Sequence, residues 1–253
     1  MIRVVTARLT GYRSFWKFLG LQSGAIFLLA YVASRLSSFS VQGGELPIGA
    51  WFSPPMVWQT VCALARWVYF VPAFFTVQLV CAELELRLVR AQVIAGLEPR
   101  DSVVIWTLQN VLLTLAAVVA TVLTVFALGA FGSGAGEWSL ANVMRAELGF
   151  ALYGFVFLNG AVLCAVLLGR PVPAITLLML WPMIVEPAIG FALQHYGLEN
   201  LRDLLPFATL GTLTSFPGGG AEISPMSLTT LLCAGYGVGA ALLTGLRLSH
   251  ADL

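Results

Sequence analysis

Apolar runs of membrane-spanning length alternate with short polar connections along this chain. The runs lie near Leu19–Phe39, Val57–Ala82, Val103–Leu128, Glu147–Leu168, Ala174–Leu193 and Ser227–Leu246. Each supplies the roughly twenty residues that a helix needs to cross a bilayer core. The pattern therefore predicts six transmembrane helices in a single all-α membrane domain over residues 1–253. Ahead of the first run, Arg3, Arg8, Arg13 and Lys17 are interleaved with Ile2, Val5, Leu9, Tyr12, Phe15 and Trp16. The three- and four-residue steps between the apolar positions predict an amphipathic helix over residues 1–18, lying in the headgroup plane. Pro72 is expected to bend the second span, and Pro182 and Pro187 to break the fifth. Residues 194–224 are apolar enough to dip back into the membrane, which predicts an outer, re-entrant loop before the last span.

One connection differs from the others. Within residues 83–102 the chain places Glu83, Glu85, Arg87, Arg90, Glu98, Arg100 and Asp101. Charge at that density cannot rest in hydrocarbon, so the segment projects into water. Glu83 precedes Arg87 by four residues, the order that favours a helical ion pair. The second span is therefore expected to continue as a helix as far as Gly96, a residue suited to a left-handed cap. Glu98 before Pro99 resists helical angles, and Asp101 or Ser102 then caps the next helix. The expected shape is helix, tight turn, helix, with an exposed corner at Gly96, Leu97, Glu98, Pro99, Arg100 and Asp101.

Composition strengthens the membrane reading. The chain of 253 residues is 59% hydrophobic and 10% charged, with a mean hydropathy of +0.91. Soluble domains carry about a quarter of their residues as charges. A net charge of +1 gives no footprint for nucleic acid. Cys62, Cys81, Cys164 and Cys233 stand singly in or beside apolar runs, a pattern of buried thiols rather than of metal ligands. With the N-terminus in the cytoplasm, nine basic residues fall inside (Arg3, Arg8, Arg13, Lys17, Arg87, Arg90, Arg100, Arg170, Arg247) and four fall in spans or outside. The positive-inside rule then places both termini and the 83–102 segment in the cytoplasm, and the expected location is the plasma or inner membrane of a bacterium, as a multi-pass protein.

Two ionisable residues lie within spans, Arg66 and Glu186. A charge at that depth needs a partner, water or a route to the interface, which makes both candidates for a pathway or for intramembrane pairing. Gln59, Gln78, Asn110 and Asn159 read as helix–helix hydrogen-bonding residues. Intramembrane proteolysis or acyl transfer needs a second catalytic group beside such a residue, and no histidine or aspartate falls inside a span to supply it.

The order acidic-x-acidic (Glu83, Glu85), basic (Arg87, Arg90), then Gly96-Leu97-x-Pro99-Arg100 before a new span resembles the first cytoplasmic loop of ATP-binding-cassette permeases of the type-2 exporter class. The six spans, amphipathic N-terminal segment and long outer loop before the last span extend that resemblance over the whole chain. Leu88 and Gln109 depart from it, standing where a threonine and a lysine often occur. The resemblance implies a permease paired with a second copy or a homologous permease among membrane lipids, docked on a cytoplasmic ATPase subunit through the 83–102 coupling loop. The chain contains no GxxxxGK[ST] loop, so ATP and Mg are expected on the partner ATPase, with no catalytic residue, metal or cofactor on this chain. Export of an amphiphilic or hydrophobic cargo is the implied function. A membrane anchor or assembly subunit doing mechanical or maturation work shares the same layout.

Overall fold

The computed structural model describes residues 13–35, 39–41, 44–46, 51–52, 56–94, 96, 98–130, 140–202, 204–213 and 226–250. The chain enters through α1 (Arg13–Arg35), followed by a short antiparallel ribbon of β1 (Phe39–Val41) and β2 (Gly44–Leu46). Next come α2 (Val57–Ala65), a 3-10 turn at Arg66–Tyr69 and α3 (Phe70–Glu85). The short α4 (Leu88–Ile94) leads into the long α5 (Pro99–Ala130) and α6 (Leu140–Leu168). Beyond them lie α7 (Pro171–Leu180), a π-helical segment at Trp181–Val185, α8 (Glu186–His195), α9 (Glu199–Arg202), α10 (Pro206–Leu213) and α11 (Met226–Ser249). The three-residue ribbon aside, the architecture is helical.

Six helical stretches among the described residues are long and apolar enough to cross a membrane: Phe15–Arg35, Val57–Glu85, Arg100–Leu128, Val143–Leu168, Pro171–His195 and Thr230–Ser249. The protein is thus an all-α, multi-pass membrane protein, whose six spans overlap the six apolar runs, the first ending at Arg35 rather than Phe39. In hydrocarbon only intrahelical bonding satisfies the backbone, so uninterrupted apolar sequence becomes uninterrupted helix. The exceptions fall at prolines. Pro72 has no N–H for the Val68 carbonyl, and the helix tightens to 3-10 geometry just before it. Pro182 and Pro187 remove two further donors, and the fifth span loosens to π geometry between them.

The first span begins earlier than expected. Arg13–Phe18 are continuous with α1 rather than part of a separate surface helix, and residues 1–12 lie outside the described residues. The reason is aromatic packing: Phe15 and Phe18 lie against Phe75 of α3, with ring centroids 6.3 and 5.3 Å away, which draws these turns into the bundle.

α6 is the hub, packed against α2, α3, α5, α7, α10 and α11. Phe150, Phe157, Leu158, Ala161 and Ala165 are fully or almost fully enclosed on it. Gly154 makes the closest approach possible: a Cβ there would sit 2.2 Å from Cζ of Tyr69, whose ring covers the α6 backbone. Alternation of the spans puts the start of α1, the α3–α5 corner and the end of α11 at one end of the bundle. Side-by-side placement of Arg100 and Val103 with Leu246 and Ser249 agrees with that arrangement.

Candidate functional site

The corner between α3 and α5 is built on buried pins. Glu83, 2% exposed in the last turn of α3, accepts a hydrogen bond from the Trp106 indole Nε1 at 2.8 Å. Trp106 is itself almost fully enclosed on α5, so the bond ties the two spans together at the root of the corner. A second tie joins α4 to α5, with Ser102 Oγ donating to Gln92 Oε1 at 2.9 Å. Val89 is the buried residue of α4 and holds its inner face to the bundle.

Between these pins the backbone turns twice. The second span does not continue to Gly96 as a single helix. It ends at Glu85, and Arg87 takes a left-handed conformation with φ of 54°. The Arg87 amide bonds back to the Leu84 carbonyl, while its own carbonyl accepts from Ala91 and starts α4. A non-glycine residue in that region carries strain of about 1–2 kcal/mol, here held by the flanking pins. The expected i,i+4 pairing of Glu83 with Arg87 is lost for the same reason: Glu83 is turned inward and Arg87 stands exposed beyond the break.

The second turn is the expected one. Gly96, at φ of 89°, bonds its amide to the Val93 carbonyl and ends α4. Capping of α5 differs in register: the helix opens at Pro99, whose missing N–H is an orphan donor position in any case. Asp101 reaches back from inside the first turn and accepts from the Glu98 amide at 3.0 Å, while the buried Ser102 serves Gln92 instead. Glu98 and Arg100 form an exposed ion pair. Glu85, Arg87, Arg90, Gly96, Glu98 and Arg100 are all exposed, so the structure gathers these predicted residues on one projecting surface and turns Glu83 away from it. Leu97 and the Pro99 side chain lie outside what the structure describes. Apolar residues complete the surface: Ile94 is 80% exposed and Leu86 69%. The sequence reading missed them because it followed charge.

The two predicted intramembrane charges occupy different settings. Arg66 opens the 3-10 turn half-buried, its guanidinium 5.3 Å from the Trp67 ring centroid. Glu186 is buried at the start of α8 and accepts from the Ala208 amide at 2.6 Å, so it caps α10 across twenty-two residues of sequence. Tyr153 of α6 lies within electrostatic reach of both charges. The segment after α8 therefore folds back. Leu198 N–H bonds to the Leu193 carbonyl and Gly197 N–H to that of Gln194, reversing the chain. α10 then returns to pack Phe207 against Tyr153 and Phe157. From Glu186 to His195 the helix rises about 14 Å, and the chain retraces that depth to bring Ala208 back to Glu186. Tyr236 of α11 donates a short hydrogen bond to the Leu204 carbonyl and fixes the other side of the returning segment. Residues 214–225, the rest of the expected loop, lie outside the described residues.

A third carboxylate was missed by placing it at a span edge. Glu147 lies two turns inside α6, where Thr121 Oγ1 donates to it at 2.9–3.0 Å and the Cys62 thiol is within bonding reach. A further polar chain crosses the bundle: Thr76 Oγ1 contacts Asn110 Oδ1, and Asn110 Nδ2 donates to Asn159 Oδ1 at 3.4 Å. These are the interhelical bonds expected of Asn110 and Asn159. The four cysteines are free thiols, three buried and Cys164 half-buried. Comparison of the sequence with models of known protein families and with curated proteins finds no match.

Proposed function

We propose that this chain is the membrane-spanning subunit of an ATP-driven exporter of the ATP-binding-cassette type, with ATP hydrolysis on a separate cytoplasmic partner. The observation that carries the reading is the α3–α5 corner. A seven-residue helix, α4, stands between two left-handed turns, and the corner presents Leu86 and Arg87 from the first turn and Arg90 and Ile94 from the helix to water. Large apolar side chains exposed at a charged, water-facing tip are the mark of a docking surface. The same helix is anchored by the buried Val89 and tied to α5 through Gln92–Ser102, and Glu83–Trp106 ties α5 in turn to α3. A partner gripping α4 would therefore move α3 and α5 with it, which is what coupling ATP turnover to a membrane pathway requires.

The cargo on this reading is amphiphilic or hydrophobic, and a second permease completes the pathway. The test is co-purification. An ATPase is expected to accompany the affinity-purified chain, and reversal of charge in an Arg87→Glu/Arg90→Glu variant is expected to release it. Full retention of the ATPase by a folded double variant overturns the docking assignment. ATP-dependent movement of cargo into inverted vesicles distinguishes an exporter from an anchoring subunit built on the same plan.

A further inference from the structure

A cavity of about 390 Å³ opens between α8 and the returning α9–α10 segment, at the end of the bundle away from the α3–α5 corner. Glu186 lines it and is 4% exposed. Its Oε1 is taken by the Ala208 amide. Its Oε2 is buried and makes no bond of hydrogen-bond geometry, although the Phe207 amide and the Trp181 indole lie near enough to act on the carboxylate. From the facing segment, Arg202 lines the same cavity and lays its aliphatic arm over Gly190, one helical turn or about 6 Å beyond Glu186. Among the described residues, Glu186 and Arg202 share the cavity without a direct ion pair between them.

An acid and a base held apart on the walls of one cavity select for the ligand's charge pattern. A simple cation meets Arg202, and a simple anion meets Glu186. A neutral apolar molecule strips water from both and returns nothing. A zwitterion satisfies each. The geometry points to a headgroup site for phosphoethanolamine, its ammonium group donating to Glu186 Oε2 and its phosphate accepting from the Arg202 guanidinium. The volume falls in the range of small-molecule sites, with Phe207 and Pro187 beside the carbon portion. The adjoining surface of the fifth span is apolar, with Met183 at 61%, Ile184 at 59% and Phe191 at 73% exposure. That surface suits acyl chains and favours a membrane lipid as the source of the headgroup. The inference goes beyond the transport reading and stands without an ATPase.

The test uses the purified full chain in nanodiscs of equal parts ethanolamine, choline and glycerol phospholipid, with lipids retained after washing read by native mass spectrometry. Ethanolamine phospholipid is expected to be enriched over both others, since the choline headgroup has no N–H to donate and the glycerol headgroup no cation. Glu186→Gln keeps an oxygen for the Ala208 amide, and Arg202→Gln changes an exposed residue, so both variants are expected to fold. Each is expected to lower the enrichment roughly tenfold, the size of one lost charge-assisted bond. Displacement of the lipid by water-soluble phosphoethanolamine supports a site that also takes the free headgroup. Retention of the lipid against it supports the lipid as the source. Absence of enrichment over choline phospholipid, or enrichment unchanged in both variants, overturns the assignment.

Discussion

Trp106→Phe tests whether the corner is pinned as described. The substitution removes the indole N–H that donates to Glu83 at 2.8 Å while leaving an aromatic ring on α5. Polar pairs between membrane helices average about 0.6 kcal/mol by double-mutant cycles. A bond to a carboxylate is stronger, about 1.5–3 kcal/mol, and both partners here are buried. The smaller ring adds a void worth about 1 kcal/mol. The sum, about 2.5–4 kcal/mol, corresponds to a fall in Tm of roughly 5–16 °C for a chain of this size. Thermal unfolding in detergent can be followed by reaction of the three buried thiols with a thiol-specific fluorophore, since they become accessible only on unfolding. A cycle with Glu83→Gln should show a coupling energy above about 1 kcal/mol. A loss below about 0.5 kcal/mol with no coupling would refute the claim that this bond joins α3 to α5.

The remaining expectations concern close packing, the turn and the returning segment. Gly154→Ala drives a methyl into the Tyr69 ring and should destabilise by about 1–3 kcal/mol, with partial rescue by Tyr69→Leu in the same unfolding assay. Gly96→Ala meets no neighbouring atom but must hold φ of 89°, so a loss of about 1 kcal/mol is expected from backbone strain alone, and Gly96→Asn should be milder. Glu186→Ala removes the cap on α10 and should cost about 1–2 kcal/mol, read as faster hydrogen exchange at Phe207 and Ala208 with little change in α3 or α5.

Spans were legible because their length and composition leave the backbone one solution in hydrocarbon, and prolines announced the two irregular stretches. What the sequence withheld falls into two kinds. The break at Arg87 has no local signal, since arginine is an ordinary helix former and only the pins at Glu83, Val89 and Gln92 hold it left-handed. The partners of Glu83, Glu147 and Glu186 are the other kind: Trp106, Thr121 and Ala208 come from different helices, and no periodicity within one run reveals them. Reading for charge also picked out Arg87 and Arg90 at the corner and passed over Leu86 and Ile94, whose exposure depends on the double turn. The three- and four-residue steps of apolar positions over residues 1–18 fit a surface helix, whereas Phe75 draws Phe15 and Phe18 inward.

On the proposed function, the α3–α5 corner faces the cytoplasm and is covered there by an ATPase. Ile94→Cys places a thiol at a position of α4 that is 80% exposed, where the native cysteines offer no competing reactive site of similar exposure. With a membrane-impermeant thiol reagent, labelling is expected in inverted vesicles and not in intact cells, and should fall when the ATPase partner is bound. Labelling of intact cells, or equal labelling with and without that partner, would contradict the account.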